Sequence, residues 1–389
     1  MHLIIITEVF FPDRIGGAGR YVYSLAKGLV TQGHKVTVIA RQLNALSFRQ
    51  DIEAIEVFRA DWEGVFFGLR PFVYPFSLQR IFREIEKYRS VDGVIFNQPF
   101  STFSLLGLKE IKNLKKIYIF HSSWADELRV MRGYGRLAPA QLLLRDIEQA
   151  VLRRIPRIVV LSEFSRNRIV ELYGIDKEKI TVIPSGVDTD KFQPGFDKPG
   201  LRHKFGLPQE AFILFTVRNL VPRMGLDNLI VAFAKVVKQF PSAYLIIAGG
   251  GFLKKDLKSL AGKLGLSARI NFTGPLKEEI LRSYYQAADL FILPTRCLEG
   301  FGLVTLEALA CGLPVLGTPV GATPEILNKF DPNFLFPGAD PASLAAKIIE
   351  FIGSGPDLAQ LSKSCREFVL REYSQEKWLN QMEAIFRSG

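Results

Sequence analysis

Residues 297–315 read CLEGFGLVTLEALACGLPV, a glycine-containing turn that leads into a helix and carries two glutamates eight positions apart. Apolar runs precede and follow it, DLFILP from residue 289 and PVLGT from residue 314, so the pattern is strand, helix, strand. Glu299 lies in the turn and Glu307 on the helix. Two acids at this spacing are compatible with a solvated helix surface as well as with a ligand site. Other segments of the chain are needed to decide between a solvated surface and a ligand site.

The same alternation of short apolar runs and helical segments extends along the whole chain. Six candidate strands lie in the first half: LIIIT at 3, KVTVIA at 35, DGVIFN at 92, KIYIF at 116, RIVVLS at 157 and ITVIP at 180. Five more begin with FILFTV at 212 and continue with AYLIIAG at 243, INFTG at 270, DLFILP at 289 and PVLGT at 314. This order predicts an α/β fold with two doubly wound parallel sheets, which bind ligands at the carboxyl ends of their strands.

The 389 residues are enough for two domains of ordinary size. Residues 188–208 are rich in proline and glycine and lack periodicity, which is typical of a linker. We therefore expect an amino-terminal domain over 1–190 and a carboxyl-terminal domain over 191–370. The last segment, SQEKWLNQMEAIF, follows another helix, and residues 371–389 are expected to form a terminal helix that crosses back to the amino-terminal domain.

Composition excludes several classes of protein. No apolar run approaches the roughly 18 to 20 residues that a membrane-spanning helix needs. The amino terminus, MHLIIITEVFF, lacks a basic start and reads as a buried strand rather than a signal peptide, so a cytoplasmic protein is expected. Three cysteines without C-x-x-C spacing argue against a disulfide framework and a zinc site. The net charge of +11 favours anionic partners, but no nucleic-acid recognition motif accompanies it.

A glycine-rich loop follows the first strand. Gly16, Gly17 and Gly19 precede a helix, so backbone amides at its amino terminus would be able to approach a phosphate. A tight turn explains the glycines equally simply. A nicotinamide fingerprint fits less well, because Val22 stands where it needs a small residue and Arg41 stands where it needs an acid.

A second candidate anion site lies in the second half. Arg218 ends a strand, Arg223 precedes a helix, and the amides of Gly302, Leu303 and Val304 begin another helix. Two arginines and a helix amino terminus directed at one crevice would bind a dianion.

The two glutamates of the opening segment flank this site. Carboxylates repel phosphates, so if Glu299 and Glu307 point inward they are expected to accept hydrogen bonds from hydroxyl groups.

The combined pattern resembles the retaining nucleotide-sugar glycosyltransferases of the GT-B fold, family 4, in which E-x(7)-E marks the carboxyl-terminal domain. Further segments match in order: GGAGRY at 16, HSSW at 121, VLSEFSR at 160, IPSGVD at 183, RNLVPRMG at 218, FTGPL at 272 and PVGATPEI at 319. The resemblance covers essentially the whole chain. It implies two Rossmann-like domains facing across a cleft, with sugar transfer to a hydroxyl acceptor held by the first domain.

The resemblance also assigns roles. His121, Arg218 and Glu299 are expected to act in catalysis, with His121 and Glu299 beside the donor sugar and Arg218 on its diphosphate. Taken alone, His121 is equally compatible with a satisfied strand-end histidine. Glu307 would hold the ribose. The remaining donor-binding residues are expected to be Gly16, Gly17, Arg223, Leu276, Phe301, Gly302, Leu303 and Val304.

One position departs from the family pattern. Family members usually have lysine where this chain has Met224, and its ammonium contacts the diphosphate. Losing such a contact costs on the order of 1.5 to 3 kcal/mol. The neighbouring Arg223 is a candidate substitute, although adjacent residues at a helix start point about 100° apart.

The expected donor is a UDP-sugar or a GDP-sugar, with no cofactor and no metal. Asp188 and Asp190 spell D-x-D, a metal-binding pattern in other glycosyltransferases, but their place beside the linker favours a turn. The pathway would be cell-surface polysaccharide or glycolipid synthesis. A nucleotide-sugar epimerase, a phosphorylase and a non-catalytic nucleotide-sugar-binding subunit remain as alternatives.

Two segments suggest peripheral membrane contact. Residues 129–157 carry seven arginines, and residues 62–76 are rich in aromatic side chains. Together they would suit an anionic membrane and a lipid-linked acceptor. A solvated basic helix beside a packed loop explains the same composition.

Overall fold

The computed structural model describes residues 1–10, 16–42, 46–60, 70–131 and 139–387. The chain divides into two compact units. Unit 1 comprises Met1–Arg129, Tyr134–Ser185 and Glu376–Gly389, and unit 2 comprises Val130–Gly133 and Gly186–Gln375. Within the described residues, none of the helices combines the length and hydropathy needed to span a bilayer.

Unit 1 is built on an eight-stranded sheet with the order β3-β4-β2-β1-β5-β6-β7-β8. Its strands are β1 His2–Ile6, β2 Lys35–Arg41, β3 Arg49–Ile52, β4 Ile55–Ala60, β5 Gly93–Phe96, β6 Lys115–Phe120, β7 Arg157–Val160 and β8 Ile180–Val182. All pairings are parallel except that of β3 with β4. Its helices are α1 Gly17–Thr31, α2 Arg70–Tyr88, α3 Pro99–Leu105, α4 Trp124–Met131, α5 Pro139–Arg154 and α6 Glu163–Tyr173, except that the last two residues of α4 are grouped with unit 2.

Two strands of this sheet, β3 and β4, were not predicted from the sequence. The six predicted strands are present, but β3 and β4 add a hairpin whose turn residues, Glu53 and Ala54, have positive φ angles. The sequence of β3, RQDI, is mostly polar and exposed, so it carries no apolar alternation. In β4 the buried Glu56 interrupts the apolar run, and it is neutralised by ion pairs with Arg49 and Arg89.

Unit 2 contains a five-stranded, fully parallel sheet with the order β11-β10-β9-β12-β13. The five predicted strands are confirmed as β9 Ile213–Val217, β10 Tyr244–Ala248, β11 Ile270–Gly274, β12 Leu290–Leu293 and β13 Val315–Gly317. Its helices are α7 Lys198–Lys204, α8 Leu226–Gln239, α9 Lys254–Lys263, α10 Glu278–Ala287, α11 Leu303–Ala310, α12 Thr323–Phe330, α13 Pro341–Gly353 and α14 Leu358–Glu372. On α8, the apolar residues Leu226, Leu229, Ile230, Phe233 and Val236 recur at helical spacing, and the face that they form is buried.

Each sheet has one point at which the strand order reverses. In unit 1 this switch point lies between β1 and β5, and in unit 2 it lies between β9 and β12. In open α/β sheets the loops that follow the two central strands diverge there, and the crevice between them binds ligands. The residues that follow these four strands are therefore the first candidates for function.

The terminal helix, α15 Gln375–Arg387, belongs with unit 1 apart from its first residue. Its Glu383 carboxylate lies 2.9 Å from the imidazole of His34. It also packs closely against α1, where a Cβ atom on Gly28 would come within 2.4 Å of the Leu379 side chain. Glycine at position 28 therefore permits the close approach of the two helices.

Candidate functional site

Arg218 directly follows β9, at the switch point of the unit 2 sheet. Its backbone amide donates to the Ala248 carbonyl at 3.0 Å. Gly249, which directly follows that neighbouring strand β10, has φ near +118°, and a Cβ atom there would lie 1.9 Å from the Arg218 carbonyl oxygen. Only glycine allows this approach, which fixes the backbone from which the Arg218 side chain extends.

The Arg218 side chain is 5% exposed and is held through one nitrogen. Nη2 donates to the carboxylate of Glu299, to Thr295 Oγ1 at 2.9 Å, and lies 2.9 Å from Met224 Sδ. Thr295 Oγ1 also donates to Glu299 Oε2 at 2.9 Å. Arginine, threonine and glutamate therefore form one buried polar cluster at the carboxyl ends of β9 and β12.

Part of this cluster has no protein partner within the described residues. Arg218 Nε is buried and unbonded, and no contact occupies Arg218 Nη1. Glu299 accepts through Oε2, which leaves Oε1 unbonded, although the residue is only 7% exposed. The cluster therefore presents guanidinium donors and a carboxylate acceptor side by side, a combination suited to a ligand that carries both phosphate and hydroxyl groups.

The loop that carries Glu299 is held in a strained conformation. Leu298 has φ near +58°, which is uncommon for a residue with a branched side chain. Its carbonyl accepts from Arg223 Nη1 at 2.9 Å, and the Glu299 carbonyl accepts from the Ala322 amide at 2.9 Å. A Cβ atom on Gly321 would lie 2.2 Å from that Glu299 oxygen. These contacts keep the strained loop in place.

Met224 and Arg223 occupy different environments, as expected for neighbours at the start of a helix. Met224 is 5% exposed and belongs to the apolar core of unit 2, with its sulfur against Arg218. The Arg223 guanidinium lies against the loop at Leu298. Whether Arg223 also contacts a diphosphate in place of the usual lysine stays a prediction.

The sequence prediction that a helix begins within EGFGLVTLE is confirmed by α11. Gly302 occupies its amino-terminal cap with φ near +93° and supplies no side-chain cap, and Leu303 and Val304 form its first turn. Phe301 packs its ring against Tyr373, with 6.3 Å between ring centroids, so its side chain supports the turn.

Glu307 lies on α11 and is buried. Its Oε2 accepts a hydrogen bond from the hydroxyl of Tyr285 on α10 at 2.9 Å. Tyr285 is not recognisable as a site residue from the sequence, because an aromatic residue on an apolar helix face looks like core. Only the tertiary structure shows that its hydroxyl reaches a carboxylate.

Leu276 follows β11 and is partly buried, at the same edge of the sheet as Arg218. Asp188 forms a turn, with its Oδ1 accepting from the Lys191 amide at 2.9 Å. Within the described ranges, no group of three or more histidine, cysteine or carboxylate side chains is arranged to hold a metal ion.

In unit 1, His121 follows β6. Its Nε2 lies 3.2 Å from Asn97 Oδ1, and Asn97 Nδ2 donates to the Ile6 carbonyl at 3.3 Å, which fixes the amide orientation. Nε2 must therefore carry the proton, and Nδ1 is an acceptor. Burial lowers the pKa of His121 to about 4, so the ring is neutral near pH 7. The Tyr21 ring contacts it edge-on at 5.1 Å.

A buried carboxylate holds the backbone that follows His121. Glu148 on α5 accepts from the Trp124 amide at 2.9 Å and from the Tyr173 hydroxyl at 2.5 Å. Ser123 Oγ lies 2.8 Å from the Tyr173 oxygen and is the donor of this pair, because the single tyrosine proton goes to Glu148. Burial raises the pKa of Glu148 above its ordinary value. Sequence reasoning missed this network because its members lie on three separate elements.

Gly16 and Gly17 stand at the start of α1, and Gly16 is its amino-terminal cap. A Cβ atom at either position would meet nothing within 4 Å, so packing does not explain these glycines. Residues 11–15 of the same loop lie outside the described part of the chain.

The two segments predicted for membrane contact are only partly described. Residues 62–69 and 132–138 lie outside the described residues. Tyr74 is buried and so contributes nothing to a surface, whereas Phe76 on α2 is exposed. On α5, Leu142 and Leu143 are exposed.

Comparison with known proteins identifies two family models in succession. The model described as Glycosyltransferase Family 4 matches residues 15–191, and the one described as Glycosyl transferases group 1 matches residues 197–368. A D-inositol 3-phosphate glycosyltransferase from Mycolicibacterium smegmatis is 35% identical over 256 residues, which are 64% of this chain and 56% of that protein. The match thus spans little more than half the length of this curated relative.

Another relative aligns over nearly its full length. It is a GDP-mannose-dependent monoacylated α-(1-6)-phosphatidylinositol monomannoside mannosyltransferase from Corynebacterium glutamicum, 27% identical over 97% of this chain and 96% of its own. The structure of Anabaena HepE in complex with UDP and glucose superposes with a TM-score of 0.81 at 19% identity, with all of both chains covered. That likeness concerns the fold. Because the two family models match successive segments and the fold agrees, the chain belongs to the family 4 glycosyltransferases and has the GT-B fold.

Proposed function

We propose that this glycosyltransferase moves a sugar from a nucleoside diphosphate sugar to a hydroxyl acceptor with retention of anomeric configuration, without a metal ion or cofactor. The donor is a UDP-sugar or a GDP-sugar bound by unit 2. The single observation that carries the proposal is the pairing of Arg218 with Glu299. Among the residues that the structure describes, Arg218 Nη1, Arg218 Nε and Glu299 Oε1 have no protein partner at the switch point of the sheet.

The unbonded groups match the parts of such a donor. A diphosphate accepts hydrogen bonds from the guanidinium of Arg218 and from the amides of Leu303 and Val304 at the start of α11. A sugar hydroxyl donates to Glu299 Oε1. The ribose hydroxyls reach Glu307, which Tyr285 orients.

Catalysis then consists mainly of stabilising the leaving group. The bond between the anomeric carbon and the diphosphate oxygen breaks, and its electron pair stays on the diphosphate. The acceptor oxygen bonds to the anomeric carbon on the same face and gives its proton to the departing phosphate. Arg218 and the helix amides bind the negative charge as it develops, an arrangement that can contribute roughly 3 to 4 kcal/mol per well-placed donor.

The proposed acceptor is a polyhydroxylated headgroup in glycolipid or cell-surface polysaccharide synthesis. Two named relatives support this class, since one acts on an inositol phosphate and the other on a phosphatidylinositol mannoside.

A donor and acceptor screen tests the function. The purified chain is incubated with UDP-sugars and GDP-sugars, each with and without inositol phosphate, free sugars and short-chain glycolipids. We expect acceptor-dependent release of the nucleoside diphosphate, unaffected by EDTA, and a product whose anomeric configuration by NMR matches that of the donor. The matched control is Arg218→Ala.

The alternatives predict different products. An isomerised sugar formed without an acceptor would identify an epimerase. Donor binding by calorimetry without product from any acceptor would identify a non-catalytic subunit. An inverted product would overturn the retaining mechanism.

We also propose that the enzyme works in the cytoplasm with unit 1 resting on an anionic membrane. Helix α3 packs against both α2 and α5, and its exposed Phe103 lies under the guanidinium of Arg154, 5.9 Å from the ring centroid. Phe76 on α2 and Leu143 on α5 are also exposed. Exposed aromatic and aliphatic groups next to arginine suit an anionic lipid surface.

Vesicle sedimentation tests the membrane contact. Phosphatidylcholine vesicles with and without phosphatidylglycerol are compared, and the protein should pellet only with the anionic vesicles. The double variant Phe76→Ser, Phe103→Ser should stay in the supernatant. The control Phe252→Ser removes an exposed aromatic residue of unit 2 and should pellet normally. Equal pelleting of both variants would contradict the proposed surface.

A further inference from the structure

The switch point of the unit 1 sheet also carries an unusual pair of polar residues. Glu8 follows β1 and Gln98 follows β5, the two strands between which the order reverses. The Glu8 amide donates to Gln98 Oε1 at 2.8 Å. In an α/β sheet this is where the crevice for a ligand opens, and neither residue is among those expected to bind the donor.

The Glu8 carboxylate is only partly satisfied by the protein. Its Oε1 accepts a long hydrogen bond of 3.3 Å from the Ser101 amide, in the first turn of α3. Its Oε2 has no hydrogen-bond partner within the described residues. The residue is only 8% exposed.

Gln98 shows the complementary pattern. Because its Oε1 accepts from the Glu8 amide, the orientation of the side-chain amide is fixed and Nε2 must be the other group. Nε2 has no hydrogen-bond partner in the described part of the chain. An acceptor oxygen, Glu8 Oε2, and a donor nitrogen, Gln98 Nε2, are thus left open on two residues that are bonded to each other.

A purely structural role of Glu8 explains only part of this arrangement. Capping of α3 by Glu8 explains the bond to Ser101. It does not explain why a buried carboxylate is used for one long hydrogen bond, where an uncharged residue would avoid the cost of burying the charge. Burial raises the pKa of Glu8 to about 7, which shows how poorly the protein alone solvates the ionised form.

We propose that Glu8 and Gln98 bind a hydroxyl group of the acceptor, which is a sugar or a cyclic polyol. A hydroxyl donates one hydrogen bond and accepts others, so it can donate to Glu8 Oε2 while it accepts from Gln98 Nε2. His121 and Asn97 follow β6 and β5 at the same edge of the sheet, so the pair lies at the edge that also carries the histidine expected to act in catalysis. The inference rests on the proposed function and adds two residues that determine acceptor binding.

The charged and titratable surroundings of Glu8 belong to three further strands and helices. Arg41 at the end of β2 favours the ionised form. Tyr74 on α2 and Tyr118 on β6 interact electrostatically with Glu8. Burial holds the pKa of both tyrosines well above 10, so near pH 7 they stay neutral and Glu8 is the group that titrates.

The test compares Glu8→Gln with the wild-type enzyme, using the best donor and acceptor of the screen above. Glutamine keeps an oxygen for the Ser101 amide but replaces the open acceptor with an amide donor. We expect kcat/KM for the acceptor to fall at least tenfold, while the donor Kd from calorimetry changes less than twofold. Glu56→Gln is the matched control, since Glu56 is also a carboxylate of unit 1 with 8% exposure, and its acceptor kinetics should stay within twofold of wild type.

Two further readouts separate binding from support of the fold. In the wild type, kcat/KM for the acceptor should rise with pH through about 7 as Glu8 ionises, and in Glu8→Gln this rise should disappear. Inhibition by monodeoxy analogues of the acceptor should show one hydroxyl whose loss weakens binding at least fivefold in the wild type and less than twofold in Glu8→Gln.

The outcomes are distinguishable from failure of the proposed function. If the wild type transfers sugar and Glu8→Gln keeps normal acceptor kinetics, or loses donor and acceptor binding equally, the hydroxyl-binding role is wrong while the enzyme function stands. If Glu8→Gln does not fold, the wild-type pH profile and analogue series still decide, and a flat profile with no sensitive hydroxyl overturns the inference. If the wild type transfers nothing, the proposed function itself fails.

Discussion

The guanidinium group of Arg218 is hydrogen-bonded to the carboxylate of Glu299, although the two residues are 81 positions apart in the sequence. Each has a different task in the expected reaction, one toward the diphosphate and one toward the sugar. Because a single nitrogen of Arg218 and a single oxygen of Glu299 form the contact, the pair orients both side chains and leaves the rest of each free for the donor. Each residue therefore depends on the other for its position.

Substitution at either member of this pair should affect both activity and stability. Arg218→Ala and Glu299→Ala are each expected to reduce sugar transfer at least tenfold. Each also leaves the other charge buried without its partner, which costs about 3 to 5 kcal/mol in comparable pairs. Steady-state kinetics and chemical denaturation measure the two effects.

The double variant Arg218→Met, Glu299→Gln is the control for stability. It removes both charges, so its unfolding free energy should lie closer to wild type than that of either single variant, while transfer stays low. Near-normal turnover in both single variants would contradict the assignment of this site.

Met224→Lys should lower the stability of the ligand-free protein and strengthen the binding of a diphosphate. The ammonium would be introduced at a 5% exposed position whose side chain lies against the Arg218 guanidinium, so the ligand-free protein should unfold at a lower temperature. A bound diphosphate would offset that repulsion. Differential scanning fluorimetry should therefore show a larger increase in Tm with saturating UDP or GDP for the variant than for the wild type.

Met224→Leu keeps an apolar group of similar volume and should cost less than about 1.5 kcal/mol, with wild-type nucleotide binding. Equal Tm values for Met224→Lys and wild type without nucleotide would show that the lysine side chain finds solvent, contrary to the packing described above.

Tyr285→Phe tests the support of Glu307. The substitution removes the hydroxyl that donates to Glu307 at 2.9 Å and keeps the ring in its aromatic cluster with Phe215 and Phe291. A hydrogen bond to a charged group contributes about 1.5 to 3 kcal/mol, so nucleotide affinity by calorimetry should weaken roughly tenfold.

The neighbouring residue supplies the control. Tyr284 stacks on Phe205, and its hydroxyl forms no hydrogen bond among the described residues, so Tyr284→Phe should bind nucleotide like wild type. If Tyr285→Phe binds as tightly as Tyr284→Phe, the hydroxyl does not orient the ribose ligand.

Glu8→Gln should stabilise the protein in a pH-dependent manner. The Glu8 pKa is raised from 4.5 to about 7 by burial, so between these values the folded state keeps a proton that the unfolded state has released. Folding stability then falls as pH rises through this window, by roughly 3 kcal/mol in total. Glutamine does not titrate, so the difference in unfolding free energy should be small near pH 4.5 and largest above pH 7.

His121 titrates in both the wild type and Glu8→Gln, so its contribution to the unfolding free energy cancels when the two proteins are compared at the same pH. Chemical denaturation monitored by tryptophan fluorescence at several pH values measures the difference. A constant difference across the range would mean that Glu8 is ionised throughout and is solvated by the protein.

Much of the fold was predictable because the apolar periodicity of a buried parallel strand is a local property. β9 to β13 all lie where continuous apolar runs indicated them. β3 and β4 were not predicted because they lack this local pattern. The β3 sequence RQDI has no apolar face. In β4, Glu56 is buried only because Arg49 and Arg89 from other elements form ion pairs with it. Tyr285, Glu148 and Glu8 were missed because a buried hydroxyl or carboxylate has no local signature.

The sequence by itself determined the two α/β units, the helix that begins after Gly302 and the family to which the chain belongs. These follow from residue spacing, which the backbone converts directly into strands, turns and helix termini. Only the tertiary structure decided that Arg218 lies against Glu299 and Met224, and that Glu8 and Gln98 meet at the switch point of their sheet. The order of the strands in each sheet brings these pairs together. Hydrogen bonds between residues distant in the sequence then determine which of their polar atoms remain available to a ligand.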